Sequence, residues 1–197
     1  GGPDVAKAVF GPARRAPATG AAFESFLAAD TGCAPVLRRI DLCFAPFEAA
    51  TGRLPRLTTA TAFLPGALEN SVAGRQAQHP AMRHIETTRG RGPLWRAAAR
   101  LCDLDDALAG RLPPPVSPAP GRALVPAARG AYAVAATAES GLVTGFSRRT
   151  PSDHLLARGG VLDVTLDALP AEKAGLGPLI LDILDPCAPV RLERPDR

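Results

Sequence analysis

The segment from residue 111 to residue 126, RLPPPVSPAPGRALVP, restricts the fold more than any other part of the chain, because six of its 16 residues are proline. Proline fixes its own φ angle and has no backbone N–H, so it interrupts helices and the ladders of sheets. This density predicts an extended polyproline-type connection in place of helix or sheet. We therefore expect a proline-rich linker over residues 111–126, between an N-terminal part at 1–110 and a C-terminal part at 127–197. The two parts are expected to form one composite domain.

The spacing of apolar residues and the capping residues predict that the part before the linker is helical. Thr19 is a plausible cap for a helix that presents Phe23, Phe26 and Leu27 on one face. Pro35 fits the first turn of the next helix. A later helical stretch is expected to be interrupted near residues 90–93, GRGP.

The part after the linker is predicted to begin with a small antiparallel β element near residues 129–147, which alternate with a period of two. Glu139-Ser140-Gly141 supplies the turn of this hairpin. The last helix should begin near Pro178 and end at Asp185, because a residue before proline disfavours the helical conformation. The sequence therefore predicts an α+β fold that is mainly α with one small antiparallel β element.

The charge pattern and hydropathy exclude two classes of partner. The chain has 23 basic and 19 acidic residues, and its longest basic runs are pairs of arginines. Nucleic-acid-binding proteins carry a clustered basic stripe, so we expect no nucleic-acid partner. No apolar run reaches 18 residues, so we expect no membrane span. The N-terminal residues lack the pattern of a signal peptide, and we expect a cytoplasmic protein.

A single cysteine, Cys187, stands directly behind the predicted helix end, in the sequence DPCAPVRLE. This stretch resembles the C-terminal metal-binding motif of nickel-iron hydrogenase large subunits, Asp-Pro-Cys-x-x-Cys-x-x-His. Val190 occupies the position of the second cysteine, and Glu193 occupies that of the histidine. The resemblance therefore keeps one of the motif's two thiols.

The sequence RRIDLCFAPF resembles the N-terminal half of the same family site, Arg-Ile-Cys-Gly-Val-Cys-Pro-x-x-His. Arg38 stands at the arginine and Cys43 at the second cysteine of that motif. Ile40 takes the place of the first cysteine, and Phe47 takes that of the histidine. One thiol is again retained.

Two shorter motifs lie between these half-sites in the order that the family has. PAARGAY resembles Glu-Ala-Pro-Arg-Gly through Arg129 and Gly130, and RTPSDHL resembles Pro-Thr-x-Trp-Asn through Pro151 and Ser152. Over residues 34–190 the chain is similar to the hydrogenase expression/formation proteins of the HupK type. That resemblance implies a reduced form of the hydrogenase large-subunit fold.

The resemblance also implies a chemistry. The family site has four thiolates, and soft thiolate ligands suit both nickel and iron. Cys43 and Cys187 remain as candidate metal ligands, which is too few for a tight nickel site. They suffice for transient holding of an iron that already carries cyanide and carbonyl ligands. Arg129 would bind the cofactor by donating hydrogen bonds toward a cyanide nitrogen.

The function implied is that of a non-catalytic scaffold, with no catalytic residues, for assembly of the hydrogenase cofactor. Its partners would be other hydrogenase maturation proteins and the hydrogenase large subunit. Two alternatives stay open at this point. The chain could be a degenerate large subunit that binds metal beside an iron-sulfur partner, or an interaction module whose thiols are vestigial.

The thiols also have a plainer interpretation, because free cysteine often packs as a small apolar residue. Cys33 and Cys102 match no motif, and we interpret both as structural. If Cys43 and Cys187 share an iron, we expect their sulfurs within about 4 Å, as bond lengths near 2.3 Å require. Without metal we allow roughly twice that separation.

Two groups of charged residues match no motif either. Glu86 and Arg89 are three positions apart, which favours a surface pair on one helix. An acidic cluster is interpreted as the solvated start of a helix, formed by Asp103, Asp105 and Asp106.

Overall fold

The computed structural model describes residues 4–192. In this range the helices are α1 (Val5–Phe10), α2 (Gly20–Ala28), α3 (Ala34–Cys43), α4 (Val72–Gln76), α5 (Pro80–Arg89), α6 (Pro93–Leu108), α7 (Pro151–Leu155), α8 (Val161–Asp167) and α9 (Gly177–Leu184). Two 3-10 helices span Gly11–Ala13 and Ala171–Leu176. The strands are β1 (Val116–Ala119), β2 (Arg122–Ala127), β3 (Gly130–Glu139) and β4 (Leu142–Arg149).

Helix α6 lies at the centre of the core and packs against α3, α4, α5 and α9. Its Trp95 is fully buried, and the indole Nε1–H donates to the carbonyl of Met82 at 3.1 Å. The predicted helix face of α2 is confirmed, since Phe23 and Leu27 are buried in the same core and the half-buried Phe26 packs against it. None of the helices within residues 4–192 has both the length and the apolar character needed to cross a membrane.

The sheet is antiparallel with the order β1-β2-β3-β4. Its β3–β4 hairpin confirms the predicted β element, and the predicted turn joins Glu139 to Leu142, which face each other. The structure thus confirms an α+β fold with a small antiparallel sheet. The sheet has four strands where the alternation predicted only a hairpin.

The prediction that residues 111–126 exclude sheet is wrong, because β1 and most of β2 lie there. The positions of the two prolines that lie within strands explain this result. Pro118 lies on the edge strand β1. No strand pairs with the outer side of an edge strand, so proline is tolerated there although it has no N–H. Pro126 lies beyond the end of β1, whose pairing with β2 runs only from Val116 opposite Leu124 to Ala119 opposite Arg122. The division into parts at 1–110 and 127–197 stays a prediction.

Local signals set the start of α2 and the end of α9. The Thr19 hydroxyl accepts from Ala22 N at the start of α2, as its cap position predicted. Helix α9 ends at Leu184, one residue before Asp185, and so confirms the predicted stop. The interpretation of the acidic cluster is wrong, because Asp103 lies in the second half of α6 and is buried. Glu193 lies outside the described residues.

Candidate functional site

Cys187 lies on a turn that a rigid helix end positions. Asp185 caps α9 in the left-handed conformation, with φ of 50°, and its backbone N–H donates to Leu181 O at 2.8 Å. Pro186 follows and prevents the helix from continuing. Cys187 is exposed immediately beyond it. The structure therefore presents this thiol to solvent at the end of a packed helix.

Ser152 forms two hydrogen bonds with Cys187. Its hydroxyl donates to Cys187 Sγ at 2.8 Å and accepts from Cys187 N at 2.7 Å. Ser152 is buried in α7, whose start is held by reciprocal capping bonds between Thr150 and Asp153. These two bonds fix the position of the Cys187 sulfur relative to α7.

Arg129 approaches the same turn from the sheet. It lies between β2 and β3, and its Nε and Nη2 donate to the two carboxylate oxygens of Asp185 at 2.8 and 3.0 Å. Hydrogen bonding to Asp185 raises the pKa of Arg129 above its usual value, and the nearby Cys187 acts in the same direction. The predicted cofactor residue and the predicted metal ligand therefore belong to one constellation.

A clamp from α4 and α6 holds the turn that carries Arg129. Arg75 donates to the carbonyls of Ala127 and Gly130 at 3.1 and 2.8 Å, and it pairs with both oxygens of Asp103. Gly130 has φ of +149°, and a Cβ there would lie 2.6 Å from the carbonyl oxygen of Asn70. The glycine of this motif is thus required by a close backbone approach.

A buried polar network links this turn to His154 of α7, the helix that also carries Ser152. Asn70 Oδ1 accepts from Ala131 N at 2.7 Å, while its Nδ2 donates to Ala131 O at 2.9 Å and to His154 Nδ1 at 3.1 Å. His154 Nε2 then donates to the carbonyl of Leu64 at 3.3 Å, which identifies a neutral ring protonated at Nε2. Burial lowers the pKa of His154, in agreement with this neutral form.

A small cleft of about 40 Å³ lies beside Ser152, Asp185 and Arg129. Arg100 also lines it and donates to Ile183 O at 2.7 Å, with its Nη2 3.6 Å from Asp185. Arg96 also lines the cleft and forms a buried ion pair with Glu69 at 3.2 Å. Guanidinium groups outnumber carboxylates along this lining, so the cleft favours an anionic occupant.

Cys43 has a different environment. It is the last residue of α3, half-buried, and packs against the hydrophobic core. Its carbonyl accepts from Lys173 Nζ at 3.2 Å. Neither Cys43 nor Cys187 belongs to the described residues that line the small cleft, although Ser152 connects Cys187 to it. That the two sulfurs approach one another stays a prediction.

The other two thiols are buried to different degrees. Burial raises the pKa of Cys33, and it raises the pKa of the Cys102 thiol to about 12. Between residues 4 and 192, no group of three or more His, Cys, Asp or Glu side chains is placed to hold a metal ion.

The motifs found three members of this constellation and missed the residues that support it. Arg129, Ser152 and Cys187 each lie in a quoted motif. Arg100 and Asn70 carry no local signal, because each acts on a backbone group more than 60 positions away. Only a three-dimensional arrangement reveals such partners.

Comparison with known proteins gives one informative match. No family model matches the chain, and no solved structure matches it. The hydrogenase expression/formation protein HupK of Rhodobacter capsulatus is 51% identical over 168 residues, which cover 85% of this chain and 56% of that protein. The chain thus spans little more than half the length of this relative. Over most of its own length it is similar to a HupK-type hydrogenase expression/formation protein, which confirms the resemblance predicted from its motifs.

Proposed function

We propose that this chain is a non-catalytic accessory protein in hydrogenase formation. In this proposal it acts in the cytoplasm as a scaffold for the nickel-iron cofactor and passes an iron fragment to the hydrogenase large subunit. The observation that carries the proposal is the Cys187 thiol, held by Ser152 beside Arg129. The name of the HupK relative, a hydrogenase expression/formation protein, supports it.

The cargo in this proposal is an iron that carries cyanide and carbonyl ligands. Such an iron arrives with most of its coordination positions filled, so it needs few ligands from the protein. Cys187 supplies one thiolate, and Cys43 is proposed as the second. A scaffold with two thiolates would hold the fragment less tightly than an acceptor with four, and transfer would run toward the acceptor.

The guanidinium of Arg129 suits the ligands of this cargo. A cyanide nitrogen accepts hydrogen bonds, and a charged donor strengthens them. Two of the N–H groups of Arg129 point at Asp185, and the others remain for an occupant. Arg100 adds a second positive charge at the same place. Both charges favour an anionic iron fragment over a bare metal cation.

The same reasoning argues against nickel. Ile40 and Val190 stand where the family motifs have thiolates, and neither aliphatic side chain donates to a metal. Ile40 is moreover buried in the core. We propose that the chain has no tight nickel site and that its fold is a reduced form of the large-subunit fold.

Infrared spectroscopy of protein purified without oxygen from its native host tests the proposal. We expect cyanide and carbonyl stretching bands in the wild type and their loss in Cys187→Ser. Cys33→Ser is the matched control, because that thiol lies outside the constellation, and its bands should persist. The proposal fails if the wild type carries no such bands, or if it retains one nickel per chain after chelator treatment.

A further inference from the structure

A second cleft, distant in sequence from the thiol site, gathers basic residues that the sequence scatters. It has a volume of about 600 Å³ and lies between the loop at 51–56 and α5. Among its lining are four arginines and one carboxylate, namely Arg53, Arg56, Arg83, Arg91 and Glu86. A concave site with this excess of one charge concentrates the electrostatic field and attracts ions of the opposite sign.

Glu86 engages only two of these arginines. Arg53 Nε and Nη2 donate to Glu86 Oε1 at 3.0 and 2.9 Å, and Arg91 Nη2 donates to Oε2 at 3.3 Å. Burial alone would raise the pKa of Glu86, but its hydrogen bonds with Arg91 and Arg53 hold that pKa below its usual value. The expected pair of Glu86 with Arg89 is therefore wrong, since Arg89 instead binds Glu24 and Asp41 on α2 and α3.

Arg91 lies largely buried in the wall of this cleft. Arg91 has a side chain that is 11% exposed, and its guanidinium stacks over Trp95 at 4.9 Å. Its Nε is buried and makes no hydrogen bond to any described residue, although Glu86 Oε1 lies 3.2 Å away. The stacking on Trp95 and the contact with Glu86 hold Arg91 in the wall of the cleft.

The walls of the cleft are held by backbone pairing. Thr51 N donates to Arg91 O at 3.3 Å, and Glu69 N donates to Pro55 O at 2.8 Å. These bonds fix the loop that carries Arg53 and Arg56 against the helical core. The arginines are consequently presented on a rigid frame, which lowers the entropy cost of binding.

We propose that this cleft binds a small phosphate-bearing molecule. Planar guanidinium groups match the geometry of phosphate oxygens and bind them through paired hydrogen bonds. The volume is that of small-molecule sites. No aromatic side chain lines the cleft among the described residues, so it offers no stacking surface for the bases of a single-stranded nucleic acid. This site is independent of the proposed iron scaffold.

Calorimetric titration of the full chain with inorganic pyrophosphate, and separately with adenosine triphosphate, tests the proposal. We expect a dissociation constant below about 1 mM at low salt. The double variant Arg56→Gln/Arg83→Gln should weaken binding about tenfold or more, because each arginine contributes a charged hydrogen bond. Both side chains are exposed, so the variant should fold.

The matched control is Arg39→Gln/Arg158→Gln, which removes the same charge at two exposed positions outside the cleft. It should bind both phosphate compounds as the wild type does. Equal weakening in the two double variants would overturn the proposal, because net charge alone would then explain binding. Absence of binding to both compounds would overturn it too, as would tight binding of a polyglutamate peptide that pyrophosphate fails to displace.

Discussion

Cys187 and Cys43 are the thiols that the two half-motifs retain, yet their surroundings differ. Cys187 is exposed, hydrogen-bonded to the buried Ser152 and close to Arg129. The polar network of Asn70 and His154 supports the turn that carries Arg129. Cys43 ends a helix whose inner face packs into the apolar core through Leu37 and Ile40, and Phe44 beyond it packs there too. The C-terminal half-site is organised by polar contacts, and the N-terminal one mainly by apolar packing.

Phe47 adds to this contrast. It replaces the motif's histidine, has φ of 67° and is 59% exposed. A bulky residue in the left-handed region is uncommon and carries strain. Its backbone N–H donates to Arg89 O at 2.9 Å, so the surrounding structure holds this conformation. A shared motif pattern therefore does not imply a shared environment.

The largest effect is expected from loss of the buried ion pair between Glu69 and Arg96, which lines the small cleft of the polar half-site. Glu69→Ala leaves Arg96 buried and uncompensated, which should lower the free energy of unfolding by about 3–5 kcal/mol. Urea denaturation measures this change. Asp30→Ala is the control, since the Arg38–Asp30 pair is exposed and should contribute within about 1 kcal/mol. Equal effects of the two variants would contradict a structural role for the buried pair.

The apolar half-site should respond to a core truncation in another way. Ile40 is 7% exposed, and Ile40→Ala should lower the free energy of unfolding by about 2–5 kcal/mol through lost burial and a cavity. The alkylation rate of Cys187 in the folded variant should stay at the wild-type value. A change of that rate would show that the two half-sites are coupled, against the contrast drawn above.

A smaller effect is expected from pH. Burial lowers the pKa of His154, so the unfolded chain binds this proton more readily than the folded one, and stability falls as pH drops below about 6.5. Protonation of Nδ1 would also break its bond with Asn70. Thermal unfolding between pH 7.5 and pH 5 should therefore show a steeper loss in the wild type than in His154→Gln. Parallel pH profiles would mean that His154 does not titrate on unfolding.

The smallest effect concerns thiol reactivity, which leaves stability unchanged. The thiolate is the reactive form, and exposure controls access to it. Treatment of the folded protein with iodoacetamide should modify Cys187 first and Cys102 last, because burial raises the pKa of Cys102 to about 12. Mass spectrometry of peptides gives the order. Modification of Cys43 before Cys187 would reverse the comparison between the half-sites.

Features that depend on neighbours along the chain could be predicted from the sequence alone. The cap of α2 at Thr19, the turn at Glu139-Ser140-Gly141 and the end of α9 before Asp185 were all predicted. Each depends on residues within about one helical turn, whose φ and ψ preferences act wherever the chain is placed. The quoted motifs also led to the HupK resemblance, which the comparison with that protein confirmed.

The partners of the charged side chains and the accommodation of the prolines depend on tertiary packing. Arg129 binds Asp185 across 56 positions, and Arg75 binds Asp103 across 28. Glu86 likewise binds Arg53, across 33 positions, instead of the neighbouring arginine that helical spacing suggested. The prolines at 111–126 fit a sheet because pairing leaves their missing N–H groups at an edge or beyond a strand end. Such outcomes depend on which elements pack against one another, and local conformational preferences do not specify that packing.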